Sequence, residues 1–403
     1  MLLTLILIVN DSISAIETSA NQQYLLEFNN VSSSQVTVRL RNILNERLRC
    51  IADIQKQIVD SFKDTLLGAE ITYADPAINA HIAEQLLWAG SIRLFERFGK
   101  IPVLHCAGTR SKASFVSCLD MEKVIAEKIG NGKGILWYNP GGSWGSLFGK
   151  EHDSRLAVWN MVAKHKIPFV SGPQSIFYRD DAHNAVKEDD EFISKHATNR
   201  DLLTFREIDS YKFSKVHYSN YTTVKLCPDM TFMIGPQRPN REAKYDVFIL
   251  VVTEESPADR GTDGNGLKFY EKICKGIFQR GYTCGIGNWG FGNRDKFEHV
   301  ERLQNTRSAL SGLEMSVEIA LSTVSLGQII LTDRLNAALL GFLTGKFVFY
   351  ADNHHRKLTR ILATAFNDKQ SCSSNIEDMG VYKVANVDNI VEKISKVIIT
   401  YKA

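Results

Sequence analysis

The chain has almost no net charge, no paired-cysteine motif, no Walker A loop and no internal repeat or low-complexity tract. Its 48 lysines and arginines against 45 acids leave a formal charge of +3. No global field is therefore present to hold nucleic acid or an anionic membrane, and any bound anion must be gripped by local arginines. The seven cysteines (Cys50, Cys106, Cys118, Cys227, Cys274, Cys284, Cys372) are scattered, with neither a CxxC pair nor a zinc-like histidine spacing. That argues against a metal centre and leaves their pairing open. The glycine run of Asn139–Arg155 is neither a Walker A loop nor a GxGxxG fingerprint.

The apolar run Met1–Val9, followed by small polar residues from Ser12 to Ser19, resembles the core of a secretory signal peptide. It is far shorter than the roughly 20 residues of a membrane-spanning helix. Residues 1–35 are expected to be a leader and the protein to enter the secretory pathway, although the basic n-region is missing and a buried or truncated N-terminus is the alternative. The sequons Asn30-Val-Ser and Asn220-Tyr-Thr are compatible with that route.

A length of 403 residues with 44% hydrophobic content suits two globular domains. Apolar residues at helical spacing over Val36–Gly68 predict one or two amphipathic helices. Helices are then expected over Ile78–Phe98, Phe115–Ile129 and Leu156–His165, and strands over Ile101–Cys106, Gly134–Tyr138, Ile167–Ser171 and Leu202–Phe205. Strands separated by helices imply parallel, doubly wound sheets. The proline-rich, charged stretch Gly235–Lys244 precedes the continuous apolar run Tyr245–Val252, which reads as the first buried strand of a second sheet. Further helices are expected over Lys268–Phe278 and Met315–Ser325. The chain thus divides into residues 36–238, 239–386, and a terminal helix within 387–403 that packs back on the first half.

Gly327–Asn353 reads as a buried strand, a polar turn, an apolar helix and a second buried strand, with Asp333 and Arg334 where the first strand stops. In open α/β sheets ligands sit at the carboxyl ends of strands and at helix N-termini, so Arg334 is placed to bind a carboxylate or phosphate. Gly141, Gly142 and Ser143 lie in a glycine run directly after a strand, where the backbone can approach a ligand closely or simply turn into the next helix. His152 and Arg155 share a helix face, as a proton carrier beside an anion clamp or as a solvated pair. Gln174 and Ser175 follow a strand, as does Arg206, which is a second anion clamp or the partner of Glu207. Asp229 organises the interdomain edge or touches substrate. Adjacent His354 and His355 read as surface residues, and Lys357 lies close in sequence to Arg334.

Several strings occur in a telling order: Gly141-Gly-Ser-Trp-Gly145, His152-Asp-Ser-Arg155, Pro173-Gln-Ser-Ile176, Arg206-Glu-Ile-Asp-Ser210, Pro228-Asp-Met230, Thr332-Asp-Arg-Leu335, Leu343-Thr-Gly-Lys346 and Asp352-Asn353 with Lys357. The series resembles the polysaccharide pyruvyl transferase family. The resemblance implies two Rossmann-like domains of the GT-B type facing a cleft. It also implies transfer of the enolpyruvyl unit of phosphoenolpyruvate to two hydroxyls of a glycan or polysaccharide sugar, with no further cofactor and no metal. It assigns donor binding to Arg206, Arg334, Leu335, Lys357, Gly141, Gly142, Ser143, Arg155, Gln174 and Ser175, and catalysis to His152, Arg334 and Asn336.

The chain departs from the family pattern at three places. Asn336 stands where the family's Thr-Asp-Arg-Leu-His string has histidine, Ser146 where the glycine loop has aspartate, and Tyr73–Ile78 lacks the early glycine. Asparagine cannot deliver a proton, which leaves His152 as the expected general acid. The alternatives are a diverged, non-catalytic homologue that binds glycan or an acidic ligand, and a transferase using a nucleotide-sugar donor.

Overall fold

The computed structural model describes residues 35–77, 82–111, 115–179, 184–251, 266–289, 306–352, 356–366, 372, 375–384 and 387–402. The leader, the Asn30 sequon, His354 and His355 lie outside them; Asn220 is exposed in the turn that follows the helix ending at His217. Among the described residues no helix is long and apolar enough to cross a membrane.

The first half opens with the helix α1 (Gln35–Leu66), then β1 (Glu70–Ala74), α2 (Ile82–Arg97), β2 (Leu104–Cys106), α3 (Glu122–Ile129) and β3 (Gly134–Tyr138). It continues through β4 (Gly141–Trp144), α4 (Gly149–Lys164), β5 (Phe169–Ile176), α5 (Ala185–His196), β6 (Leu202–Phe205), α6 (Ile208–His217) and β7 (Thr223–Leu226). The second half holds β8 (Tyr245–Val251), α7 (Gly266–Phe278), β9 (Cys284–Asn288), α8 (Thr306–Val324), β10 (Gly327–Thr332) and α9 (Leu335–Leu343). After these come β11 (Phe347–Tyr350), α10 (Lys357–Phe366), β12 (Val381–Lys383) and α11 (Val387–Lys402).

Every pairing between these strands is parallel. The first sheet runs β2-β1-β3-β5-β6-β7, with β4 paired to β5, and the second runs β12-β11-β10-β8-β9. Leaving β4 aside, the first order is the doubly wound 2-1-3-4-5-6 and the second is 2-1-3-4-5, with switch points between β1 and β3 and between β8 and β10. The apolar runs foretold these strands because a parallel strand is covered on both faces: all five residues of β3 are buried, as are the last five of β8.

Three apolar clusters fill the layers. One covers the outer face of the first sheet with α3, α4 and α5, and another covers the outer face of the second sheet with α7 and α11. The largest lies between the sheets, where Phe62, Trp88, Trp137, Leu250, Ile330, Leu339 and Val348 belong to one continuous core.

Several boundaries differ from expectation. β2 is limited to Leu104–Cys106, because Pro102 has no N–H for a ladder. Residues 115–121 form a turn tethered by the Cys106–Cys118 disulfide, so α3 starts only at Glu122. The glycine run is a short strand, with Gly141 paired to Gln174 and Trp144 to Ile176. At Gly145 the chain turns with φ +88°, where an added Cβ would lie 2.5 Å from the Phe177 carbonyl oxygen.

The buried residues of the terminal helix α11 (Ile390, Val391, Ile394 and Ile398) join the outer core of the second sheet, where Leu40 and Ile43 of α1 also pack. α10 reaches the first half as well: Thr364 Oγ1 accepts from the Ile208 N–H at 3.1 Å, and Arg360 pairs with Asp209 at 3.0 Å. α1 likewise straddles both halves, since Leu40 and Ile43 pack on the outer core of the second sheet while Ile51 to Leu66 lie in the central core. The Cys50–Cys372 disulfide fastens it there.

Candidate active site

Arg206 leaves β6 at its carboxyl end and is 1% exposed. Its Nε donates to Ser175 Oγ at 2.8 Å and its Nη1 to Asp229 Oδ2 at 2.7 Å. The partner anticipated from sequence, Glu207, instead caps α6 by accepting from the Ser210 N–H at 3.1 Å. A Cβ placed on Gly142 would lie 2.9 Å from Arg206 Nη2 and 3.0 Å from Lys357 Nζ. The glycine is thus what lets a strand backbone run against two cationic tips.

Lys357 is the first residue of α10, held by the Leu358 N–H donating to Asp352 Oδ1 at 3.1 Å. Burial pushes its ammonium down to about 7; Arg206 and Arg334 act in the same direction, while Asp229 and Glu84 oppose them. Arg334 supplies its charge from the carboxyl end of β10, on the residue before α9, with its Nε 3.0 Å from Asp333 Oδ1. It is 19% exposed, against 1% for the Asp333 side chain, which also accepts from Tyr270 Oη at 3.0 Å. Asp229 lies against Arg206 and Asp333 against Arg334, and Lys357 brings a third basic group among them, its charged form disfavoured first by burial. Such a cluster suits an anionic ligand.

His152 and Arg155 buttress the glycine strand from behind. Arg155 donates to the Ser143 carbonyl at 2.9 Å, to Ser143 Oγ at 2.7 Å and to Gln174 Oε1 at 3.4 Å. Its guanidinium stacks over the rings of Tyr138 and Trp144. Gln174 Nε2 donates to the Asn139 carbonyl at 2.7 Å, closing the bracket around β4. His152 is 6% exposed and engaged at both ring nitrogens, with Nε2 2.8 Å from Asp189 Oδ1 and Nδ1 3.4 Å from Arg155 Nη1. Asp189 also accepts from Tyr178 Oη at 2.5 Å. His152 touches Arg155, which in turn holds Ser143.

Asn336 is committed to the joint between the halves. Its Nδ2 donates to Thr231 Oγ1 at 2.8 Å, and the Thr231 N–H donates to Asp229 Oδ1 at 2.9 Å. Asp229, fully buried, therefore organises the interdomain edge and fixes Arg206 at the same time. The Leu335 side chain belongs to the central core, so any ligand contact it makes runs through its backbone. Gly141, Gly142, Ser143, Gln174, Ser175, Arg206, Arg334 and Lys357 are brought to one place, with Arg155 one step behind them.

Sequence reasoning missed Glu84, Asp75 and the Tyr178–Asp189–Tyr218 network. Asp75 ends β1 at the first switch point with φ +57° and accepts from Tyr138 Oη at 3.2 Å. Its signals were its place in the Tyr73–Ile78 string and an aspartate's tolerance of the left-handed region. Among the described residues no group of three or more His, Cys, Asp or Glu is placed to hold a metal ion.

Residues 87–355 match the family model described as polysaccharide pyruvyl transferase. The chain is 23% identical over 233 residues to Pyruvyl transferase 1 of Schizosaccharomyces pombe, a match covering 57% of this chain and 53% of that protein. A solved structure of an uncharacterized protein from Klebsiella pneumoniae is similar with a TM-score of 0.45 and 14% identity, over 80% of this chain and 98% of its own.

Proposed function

Because the chain belongs to the polysaccharide pyruvyl transferase family, we propose that it transfers the enolpyruvyl group of phosphoenolpyruvate to a sugar of a glycan or polysaccharide, giving a pyruvate ketal and phosphate. The observation that carries this reading is the convergence of Arg206 and Lys357 on Gly142, with Arg334 close enough to depress Lys357. A donor with a phosphate and a carboxylate on one carbon needs several cations, and the planar forks of two arginines suit such groups. Carboxyl strand ends from two doubly wound sheets meeting at one site support a GT-B-like cleft.

The disulfides Cys50–Cys372, Cys106–Cys118 and Cys274–Cys284 support an oxidising compartment, in keeping with a secretory route and a signal peptide. Phosphate release from phosphoenolpyruvate, measured across a panel of galactosides and other glycans with mass analysis of the acceptors, tests the proposal. A pyruvate-mass adduct with matching phosphate is expected. Donor binding without product in every case would favour a second reading, a glycan- or anion-binding homologue, for which the non-titrating Asn336 is the specific observation.

A further inference from the structure

We propose that Lys357 is the general acid that protonates the methylene carbon of the donor, the task that falls to the family's histidine and that Asn336 cannot perform. The inference rests on the pyruvyl-transfer reading above. The transfer needs an N–H or O–H acid beside the cations that hold the donor. Asn336 does not titrate, and its amide is directed to Thr231 Oγ1. His152 lies behind the glycine strand with both ring nitrogens engaged. Arg206 and Arg334 do not release protons in proteins. Asp229 is buried against Arg206 as the counter-charge of the site.

Lys357 has the geometry that these residues lack. Its Nζ and Arg206 Nη2 come within 3.0 Å and 2.9 Å of the same point over Gly142, so a donor phosphate or carboxylate held by Arg206 lies within reach of the ammonium. Its main chain is fixed at the first turn of α10 by Asp352. Four charged groups face it from four places in the fold: Arg206 after β6, Asp229 before the turn at Met230, Arg334 after β10, and Glu84 in α2. Burial, Arg206 and Arg334 together bring it to about 7, close to the operating pH at which a proton donor is most effective. A bound anionic donor pulls the group upward again, so the ammonium form is the one present when donor is bound.

The chemistry closes without a further reagent. Lys357 passes one proton to C3 of phosphoenolpyruvate, converting methylene to methyl and leaving C2 electron-deficient. A first acceptor hydroxyl adds its oxygen to C2, and its proton returns to the Lys357 amine. The C2–O bond to phosphate then breaks, the second hydroxyl adds to C2, and its proton leaves with the phosphate. One donor and two hydroxyls thus give one ketal and one hydrogen phosphate.

The test compares wild type, Lys357→Arg, Lys357→Met and the double variant Lys357→Arg with Asn336→His. For each, phosphoenolpyruvate binding is measured by calorimetry, and ketal formation by mass spectrometry between pH 5.5 and 9. Lys357→Arg keeps a cation but no usable acid. It is expected to bind donor within about threefold of wild type and to lose at least 100-fold in turnover. Retained binding also shows that it is folded. Wild-type kcat/KM should fall about tenfold per pH unit above about 7, and the double variant should regain turnover over Lys357→Arg. A Lys357→Arg or Lys357→Met protein that turns over within threefold of wild type, or a wild-type rate that does not fall up to pH 9, overturns the acid role alone. Wild type that binds donor yet forms no ketal with any acceptor overturns the transfer reading and the acid role with it.

Discussion

Among the described residues, Lys357 and Lys346 are the lysines whose burial most strongly disfavours the charged form, to about 7 and about 8 respectively. A lysine depressed in the folded state holds fewer protons there than in the unfolded chain between its folded value and its ordinary 10.5. Folding is therefore penalised in full below about 7, and stability rises with pH through that window. Lys357→Met removes one such penalty. It should melt higher than wild type at pH 6, with the gap closing toward pH 10, and inorganic phosphate should raise the wild-type melting point more than that of the variant. Parallel melting curves across this range would refute the buried-ammonium picture. Gly142→Ala acts on the same spot from the other side. Its Cβ meets first the ends of the Arg206 and Lys357 side chains rather than backbone, so donor affinity should fall about tenfold, which is about 1.4 kcal/mol, while the melting point changes little. At this scale the sequence named Arg206, Arg334 and Lys357 as an anion site. It gave no sign that Asp229, 23 residues from Arg206, is the counter-charge, because such pairing exists only once β6 and the segment after β7 lie side by side.

The β4 strand and the helix α4 behind it separate positioning from chemistry. His152→Ala removes the imidazole from buried Asp189, which keeps its hydrogen bond from the Tyr178 hydroxyl, and slackens Arg155, which holds Ser143. A stability loss of about 1–3 kcal/mol is expected. Donor KM should rise more than kcat falls, and the pH profile should keep its shape; a selective loss of kcat with a shifted profile would return the acid role to His152. Asn336→Ala cuts the hydrogen bond between α9 and Thr231 and should cost about 1 kcal/mol, visible in denaturant titration. Elements were legible where one physical signal dominated, as in the continuous apolar runs of β3, β8 and β10 and the amphipathic stripe of α1. The strand β1 escaped notice because Glu-Ile-Thr-Tyr-Ala is short and begins with a charge, although four of its five residues are buried. α5 escaped because its sequence is mostly charged, with Asp189 and Ile193 alone buried. β4 read as a loop because glycine-rich strands carry no apolar signal, and its pairing depends on β5 extending beyond β3.

Across the whole molecule, the two sheets are joined by elements that linear order would assign to one side or the other. α1 begins against the outer core of the second sheet and ends in the central core. Arg47 in its middle donates to the carbonyls of Met379 at 2.5 Å and Lys346 at 2.9 Å. Gln55, two turns on, donates to the Phe232 carbonyl at 3.0 Å. One helix therefore touches the base of β12, the turn before β11 and the segment that carries Asp229. The Cys50–Cys372 bond pins this helix to a residue 322 positions away, a link no cysteine spacing could disclose because connectivity is a property of the folded chain. Cross-linking so distant a pair restricts the unfolded chain strongly, and removing a native disulfide typically costs about 2–5 kcal/mol. Replacing both residues with serine should lower the melting temperature and weaken donor binding together, because α1 also steadies the Phe232 segment adjoining Asp229 and Thr231. Serine replacement of Cys274 and Cys284, which link α7 to the neighbouring β9 ten residues on, should lower the melting temperature while leaving donor affinity unchanged. Equal effects of the two pairs on donor binding would show that α1 does not transmit its position to the cationic site.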